Sequence, residues 1–485
     1  MKAACGARCV LAALLYLLLA LVVARGLSTE PTLPGSIAAI TPRAQTDRPS
    51  ATSVPDRFVF VAGGDMIGPY RTLQGIDDPD FKRITALFQG ADLGFANQEG
   101  AIFDLTTFAG HPSAETGGGY PVAPVAVAKD YHDMGINVVS KANNHGIDWG
   151  ADGMMATLKS LADAGVAEAG GGLSDVQARA PGYVETRKGR AALVSTASTF
   201  PPAAVAGPAI VRRGLRSQPR PGISALHIRH IRLVTAGQLT SLRGIAGPIA
   251  FPAGPAGSEV RISDQYFRAS KTEGTTIEAD PADVAAVLGS IREARKNAGF
   301  VVFAIHAHET AGNVDDMPPA DFEPMVLHQA NEAPSPDDPR PADFEPLLFH
   351  QAIDAGADVV IRTGPHLLNG IEIYKGKPIF YSLGSLFFVF GGRRGYTAPN
   401  GQAKTFPEEW YESIVPVSTF RQGRLTEIRL YPIVIESSAA PTDGFPHAAN
   451  AEQGRRILER LKVLSATFGT AVEIEGNVGV IRVAE

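Results

Sequence analysis

The chain has 485 residues, 45% of them hydrophobic and 19% charged, with a formal net charge of −6. That is ordinary globular material, long enough for one large domain or two medium ones. The acidic balance excludes a nucleic-acid binder, which needs a basic face to neutralise phosphates. Both cysteines, Cys5 and Cys9, lie near the N-terminus, so the body has no disulfide, thiol nucleophile or cysteine-ligated zinc. Any metal ligand must be His, Asp, Glu or Asn.

Lys2 and Arg8 lead into an apolar run from Val10 to Ala24, which Arg25 ends. A positive start followed by about 15 apolar residues reads as a signal peptide, shorter than the ~20 residues that span a bilayer. Residues 1–27 are therefore expected to be a signal peptide or, uncleaved, an N-terminal anchor. In either case the body is exported, periplasmic or otherwise extracytoplasmic. Residues 28–56, rich in Pro, Ser and Thr without apolar periodicity, read as a flexible linker.

Order is expected from Arg57. Phe58 to Ala62 reads as a strand buried on both faces, ended by Gly63, Gly64 and Asp65. Leu93 to Ala96 runs into Asn97, Gln98 and Glu99. Ile136 to Ser140 is a short strand running into Lys141, Ala142, Asn143, Asn144 and His145, and Asp152 to Ala164 reads as a helix closed by Gly165. Asp280 can cap a helix with Pro281 in its first turn. It leads to the strand Phe300 to Ile305, tipped by His306, Ala307, His308 and Glu309. A helix over Leu347 to Ala355 and a strand over Asp358 to Ile361 lead to Pro365 and His366. Helices alternating with strands predict an α/β fold.

Two stretches break this rhythm. From Thr186 to Ser258 there is no acidic residue, while Arg212, Arg213, Arg216, Arg220, Arg229, Arg232 and Arg243 are scattered through it. Such a run is either a groove for an anionic polymer or phosphate, or a set of solvated arginines on a Gly/Pro-rich excursion. The second break is a duplication: Pro319 to Ala330 recurs as Pro341 to Ala352. Two copies are too few for a solenoid, so they read as a duplicated helix start, with His328 and His350 structural. In the tail, residues 394–485, a helix over Glu452 to Leu464 and strands around Ile428 to Ile435 and Val472 to Val483 read as an extension packing on the same domain as residues 57–393.

Binding groups in open α/β sheets gather at the carboxyl ends of strands. Five such ends here carry Asp65; Asn97 and Glu99; Asn143, Asn144 and His145; His306 and His308; and His366. Imidazole nitrogen with carboxylate or amide oxygen suits Mn, Fe or Zn. Singly, each could instead hold a turn. Glu99 and Glu372 could form an acid/base pair or cap turns, and Tyr381 to Ser385 reads as a buried strand and turn, since no Gly-x-Ser-x-Gly elbow is present.

Asn97 and Glu99, Ala142 through Asn144–His145 and Asp148 to Gly150, Arg220 to Leu226, Gly356 to Ile361, Pro365–His366, Gly370 to Lys377 and Ile379 to Gly384, in that order, resemble the CapA family of poly-γ-glutamate capsule synthesis proteins. The resemblance implies a calcineurin-like metallophosphoesterase fold, with two packed β-sheets flanked by helices and one or two divalent metal ions at the strand tips. It also implies the capsule process, with an anionic polymer or phosphoester substrate and capsule-synthesis membrane proteins as partners. Position by position it implies Asp65, Asn97, Asn144, His306, His308 and His366 as the metal set, with His145, Asp148 and Glu99 in catalysis. Such a centre would lower the pKa of a bound water, with His145, oriented by Asp148, stabilising the leaving oxygen. The chain departs from the phosphoesterase pattern in having Met66 and Ile67 after Asp65, Ala307–His308 after His306, and no His-rich run before His366. These departures provide for one metal better than two, unless His308 or Glu309 completes a second. The implied activity is a metal-dependent hydrolase acting on a phosphoester or a polyglutamate amide; the alternative is a non-catalytic assembly or export component.

Overall fold

The computed structural model describes residues 54, 56–253, 257–263, 265–311, 340–390, 394–397, 403–436 and 441–483. The leader, most of the linker and the first copy of the duplicated segment, with His328, lie outside the described residues.

The chain enters the fold on β1 (Phe58–Ile67) and then alternates: α1 (Pro79–Gln89), β2 (Leu93–Glu99), α2 (Ala126–Met134), β3 (Val138–Ser140), α3 (Gly150–Asp163) and β4 (Ala167–Ala169). Helix starts follow local chemistry, as where the Asp78 carboxylate accepts the N–H groups of Asp80 and Phe81 ahead of Pro79 in the first turn of α1. The four strands lie parallel in the order β1-β2-β3-β4.

The hairpin β5 (Gly182–Thr186) and β6 (Gly189–Ala197) opens a second sheet. It is completed by α4 (Pro281–Asn297), β7 (Phe300–His306), α5 (Glu345–Ala355), β8 (Val359–Thr363), β9 (Ile371–Tyr374) and β10 (Lys377–Phe380), in strand order β9-β10-β8-β7-β6-β5. The chain then returns to the first sheet. There β11 (Ser385–Phe388) pairs with the end of β1, and β12 (Glu412–Arg421) lies antiparallel to its start. Outward from β12 come β13 (Arg424–Ile435) and, after α6 (Ala451–Ala466), β14 (Glu473–Glu475) and β15 (Val478–Arg482), in the order β14-β15-β13-β12. Strands from beyond residue 393 are thus hydrogen-bonded directly to β1.

The two sheets pack face to face. Phe58, Phe60, Ala62, Leu93, Phe95 and Val138 of the first meet Leu193, Phe300, Val302, Ala304, Val359 and Ile361 of the second in one buried cluster. Phe300 is central to it, with ring centroids 4.8 Å from Phe58, 5.6 Å from Phe60 and 4.9 Å from Phe420. The outer face of the first sheet is covered by Phe81, Ile84 and Phe88 of α1, Val127 and Tyr131 of α2 and Leu161 of α3. That of the second is covered by Val287 and Ile291 of α4 with Leu348 and Phe349 of α5. The strand runs are apolar throughout because both faces are buried.

Between β6 and α4 the chain makes the Arg-rich excursion, which ends in a five-stranded sheet over Ile228 to Ala279. Arg229 is only partly exposed there and is paired. It reaches buried Glu259 at 3.2 Å and Glu278 at 3.0 Å, while Arg268 pairs with Glu278 at 2.6 Å. Arg220 Nε donates to the carbonyl of Val205 at 2.8 Å.

Several strands run further than their apolar residues suggest. Gly63, Gly64 and Asp65 do not end β1, which continues to Ile67, and β2 continues through Asn97 to Glu99. In the β1–β2 register Ala62 faces Phe95 but Asp65 faces Asn97, so β1 advances three residues while β2 advances two. This one-residue bulge exchanges the faces of the residues beyond it. Val61 packs outward before it and Met66 packs outward after it, leaving Asp65 on the inner face with Asn97. Glycine is required at the bulge, since a Cβ on Gly64 would lie 1.7 Å from the carbonyl oxygen of Gly384.

Candidate metal centre

The inner faces of both sheets are apolar along most of their length and turn polar at their carboxyl ends. On β2, Leu93 and Phe95 are followed at the same spacing of two by Asn97 and Glu99. On β7, Phe300, Val302 and Ala304 are followed by His306, and on β8, Val359 and Ile361 by Thr363. Because side chains alternate strictly in a strand, these polar groups are extensions of the inter-sheet core and converge at one end of it. Asp65, Asn97, Glu99, His306, His308 and His366 are all almost fully buried.

Asp65, Glu99 and His306 bring one ligand atom each within 4.8 Å of one another. Asn97 Nδ2 donates to Asp65 Oδ1 at 2.8 Å and to Glu99 Oε1 at 3.1 Å, and lies 3.1 Å from His306 Nδ1. His306 Nδ1 is also 3.2 Å from Glu99 Oε1 and 3.1 Å from Thr363 Oγ1. Its Nε2 faces His308 Nε2 at 3.0 Å. The second sheet also grips Asp65 directly, Gly364 N–H donating to its Oδ2 at 3.0 Å with His366 Nδ1 at 3.2 Å from the same atom. Ser385 Oγ lies 3.2 Å from that His366 nitrogen, and the ring rests against Phe388 and Trp410. His366 itself has φ of 55°, a left-handed conformation that a bulky residue keeps only where its surroundings impose it.

The electrostatics match a cation-binding cluster. Burial, followed by the charge of Asp65, pushes the Glu99 carboxyl well above its ordinary value. Burial would raise Asp65 too, but the hydrogen bond and charge of His366, with the donors on Asn97 and Gly364, outweigh it and hold Asp65 below the usual range. Burial, followed by neighbouring imidazoles, keeps His306 and His308 well below theirs, so both are neutral and offer lone pairs. Buried atoms here that make no hydrogen bond include Glu99 Oε2, His366 Nε2, Asn144 Oδ1 and Asn143 Oδ1. Buried polar atoms are normally paired, and carboxylate, imidazole and amide-oxygen lone pairs are the donors a divalent transition metal takes. The residues present therefore fit such an ion.

A second group adjoins this one. His145 Nδ1 lies 2.6 Å from Asp148 Oδ2, and the other oxygen of Asp148 accepts the Gly117 N–H at 2.7 Å. The Gly117 carbonyl in turn accepts Asn144 Nδ2 at 2.9 Å, so one residue orients both. Asn143 joins this loop to β2, its Nδ2 donating to Asn97 Oδ1 at 3.2 Å and to the carbonyl of Gln98 at 2.8 Å. Below it, buried Lys141 donates to the carbonyl of Gly100 at 2.5 Å. Burial lowers this ammonium to about 8 against the pull of Asp148, Glu99 and Glu168.

Several expectations change in this light. Asn97 turns its amide nitrogen toward the carboxylates and its oxygen toward Asn143, tying the strand-end groups together. Glu99 belongs with the metal-binding group more than with a general base. The Glu309 carboxylate accepts Ser198 Oγ at 2.7 Å and Thr199 Oγ1 at 2.9 Å. Glu372 forms no pair with Glu99; its oxygens take His350 at 2.7 Å and Tyr381 at 2.9 Å. Sequence reasoning missed Gly117, Thr363 and Gly364, which no motif marks, and treated Ser385 as turn packing although it contacts His366.

The model of a family described as bacterial capsule synthesis protein PGA_cap matches residues 59–334 and 320–390. The chain belongs to this family. The two matches overlap on residues 320–334, within and just after the first copy of the duplicated segment; the second copy, Pro341 to Ala352, leads into and forms most of α5. Two proteins of Sinorhizobium fredii, the uncharacterized proteins y4sH and y4uA, are each 36% identical over 467 residues, covering 89% of this chain and 95% of theirs. The PGA biosynthesis protein CapA of Bacillus subtilis is 24% identical over 264 residues, 54% of this chain and 45% of that one. Among the described residues of this PGA_cap protein, no helix is long and apolar enough to cross a membrane.

Proposed function

We propose that this PGA_cap protein is an exported metal-dependent hydrolase of capsule-polymer synthesis, cleaving a phosphoester in a metallophosphoesterase-like fold. The observation that carries the reading is the buried Asp65–Glu99–His306 group, with unpartnered Glu99 Oε2, His366 Nε2 and Asn144 Oδ1 beside it. Supporting it are the two packed sheets with this group at their carboxyl ends and the similarity to the PGA biosynthesis protein CapA of Bacillus subtilis. Export rests on the apolar leader.

Asp65, Glu99, His306 and His366, with Asn144 and His308 beside them, would hold a divalent Mn, Fe or Zn ion, which supplies Lewis acidity toward a phosphoester oxygen and acidifies water. The chain's own residues do the rest. Asp148 accepts the Nδ1 proton of His145 and holds its ring in one orientation. As water adds to phosphorus, the doubly protonated His145 gives its Nε2 proton to the leaving oxygen, whose bond to phosphorus breaks, and is left neutral with its Nδ1 proton still donated to Asp148. Asn97 and Gly364 hold Asp65 in place, and the surrounding core excludes bulk water, which strengthens each of these interactions.

The test is elemental analysis of the purified protein, with hydrolysis of a chromogenic phosphodiester, for the wild type, His366→Ala and Glu99→Gln. One or two equivalents of metal, lost together with activity in the variants, support the reading. A protein that stays empty after soaking in Mn, Fe and Zn and hydrolyses nothing overturns it in favour of a non-catalytic assembly role.

A further inference from the structure

The arginines of the acid-free stretch divide into two kinds. Arg229 is built into the five-stranded sheet and Arg220 is held by the Val205 carbonyl. Arg212, Arg213 and Arg216 are exposed, and their side chains make no ion pair or hydrogen bond among the described residues. They sit on a hairpin in which Val211 faces Arg216 and Arg212 faces Leu215, closed by Arg213 and Gly214 at φ of 52° and 78°. Two successive positive φ values are the tight two-residue turn that matches strand twist. At its root Ser217 N–H donates to the Ile210 carbonyl at 2.9 Å, and Gly207 and Arg220 exchange backbone hydrogen bonds at 2.9 and 3.0 Å.

The same eight residues expose Ile210 and Val211 at 62% each and Leu215 at 78%. Directly opposed residues share a face and successive ones alternate. One face therefore carries Ile210, Arg212 and Leu215, and the other Val211 and Arg216. Each presents apolar surface beside a guanidinium. A soluble polyanion would use the arginines and leave the apolar groups in water. A bilayer interface uses both, burying the aliphatic groups below the headgroups while the guanidinium groups stay among the phosphates.

We propose that the Ile210–Ser217 hairpin is an arm that seats on an anionic lipid surface. The three arginine side chains pair with no carboxylate among the described residues, and the stretch from Thr186 to Ser258 holds no acidic residue, so the complementary negative charge is left to the partner. The arm is anchored to the site's surroundings: Val205 bridges Ile223, and Ile223 packs with Ala142, Ile147 and Ala204 against the loop bearing Asn143, Asn144 and His145. Docking of the arm therefore holds the His145 loop at a set position relative to the lipid surface.

The test uses the full chain with Leu215→Trp, read as its added emission over the wild type, which has Trp149 and Trp410. The expected result is a blue shift and quenching with brominated phosphatidylglycerol vesicles and neither with brominated phosphatidylcholine. Adding Arg212→Glu, Arg213→Glu and Arg216→Glu removes the effect, lowering anionic-vesicle affinity of the arm on the order of 100-fold. Val463→Trp, at a site 69% exposed on α6, reports no change in either lipid. No quenching in the anionic vesicles overturns the proposal, as does equal quenching in both lipids. A matching blue shift with soluble poly-glutamate in the absence of vesicles overturns it in favour of a polymer-binding arm.

Discussion

His366 Nδ1 stands 3.2 Å from Asp65 Oδ2, and this contact joins the last strand-end histidine of the second sheet to the bulged first strand of the other. The same nitrogen is 3.2 Å from Ser385 Oγ, so the ring is held through Nδ1 while its buried Nε2 makes no hydrogen bond and is left to offer a lone pair. Partners of this kind, which orient a metal-binding imidazole, change metal affinity by ~10–100-fold when removed. Ser385→Ala is expected to weaken zinc binding about 10-fold in equilibrium dialysis, and His366→Ala more than that. Unchanged affinity in both would remove His366 from the ligand set.

The His145–Asp148 pair is expected to act on turnover and not on metal content. His145→Ala should lower phosphodiester hydrolysis by ~10²–10⁴, the usual range for a lost general acid. Asp148→Asn should produce a smaller loss, because the ring remains but its orienting carboxylate is gone. Metal content measured on the same samples should match the wild type; its loss would place His145 among the ligands instead.

Gly117 supplies both its N–H and its carbonyl to the site. A Cβ there would lie 2.5 Å from the backbone carbon and oxygen of Asn144. Gly117→Ala must therefore move the loop that carries Asn144 and His145, at about 1–3 kcal/mol of stability as for other overpacked positions. Urea unfolding gives the stability change and hydrolysis gives the functional one. Retention of full activity would show that the grip on Asn144 and Asp148 is dispensable.

Glu168 gives a pH dependence separate from the site's chemistry. Burial, opposed by the Gly171 N–H and the charge of Lys141, raises its carboxyl to about 7. Below the ordinary carboxylate range the group is protonated in both folded and unfolded chains. As pH rises toward 7 the unfolded chain ionises first and binds fewer protons, so the folded state loses stability over that interval. Thermal melts of Glu168→Gln should lose this decline between about pH 4.5 and 7, worth up to about 3 kcal/mol at 1.36 kcal/mol per pKa unit. A variant with the wild-type pH profile would assign the decline to other groups.

Phe300 touches Phe58, Phe60 and Phe420 where the two sheets meet. Phe300→Ala should cost about 3–5 kcal/mol by lost burial and the cavity left behind. A loss under 1 kcal/mol in denaturant unfolding would mean that the inter-sheet core collapses around the gap.

Much of this protein is determined locally and can be read along the chain. The doubly buried strands announce themselves as unbroken apolar runs, the helices as capped segments such as Asp78–Pro79 and Asp280–Pro281, and the polar strand ends as Asp65, Asn97, Glu99, His306 and His366. What these residues do to one another depends on tertiary structure. The bulge at Gly63–Gly64 decides that Asp65 faces inward, because one added residue reverses the alternation of every side chain after it. The orientation of the Asn97 amide, the use of Glu309 by Ser198 and Thr199, and the meeting of Gly117 with both Asn144 and Asp148 join residues far apart in sequence. No local pattern encodes such contacts, since only the packing of one sheet against the other sets which atoms come within hydrogen-bonding distance.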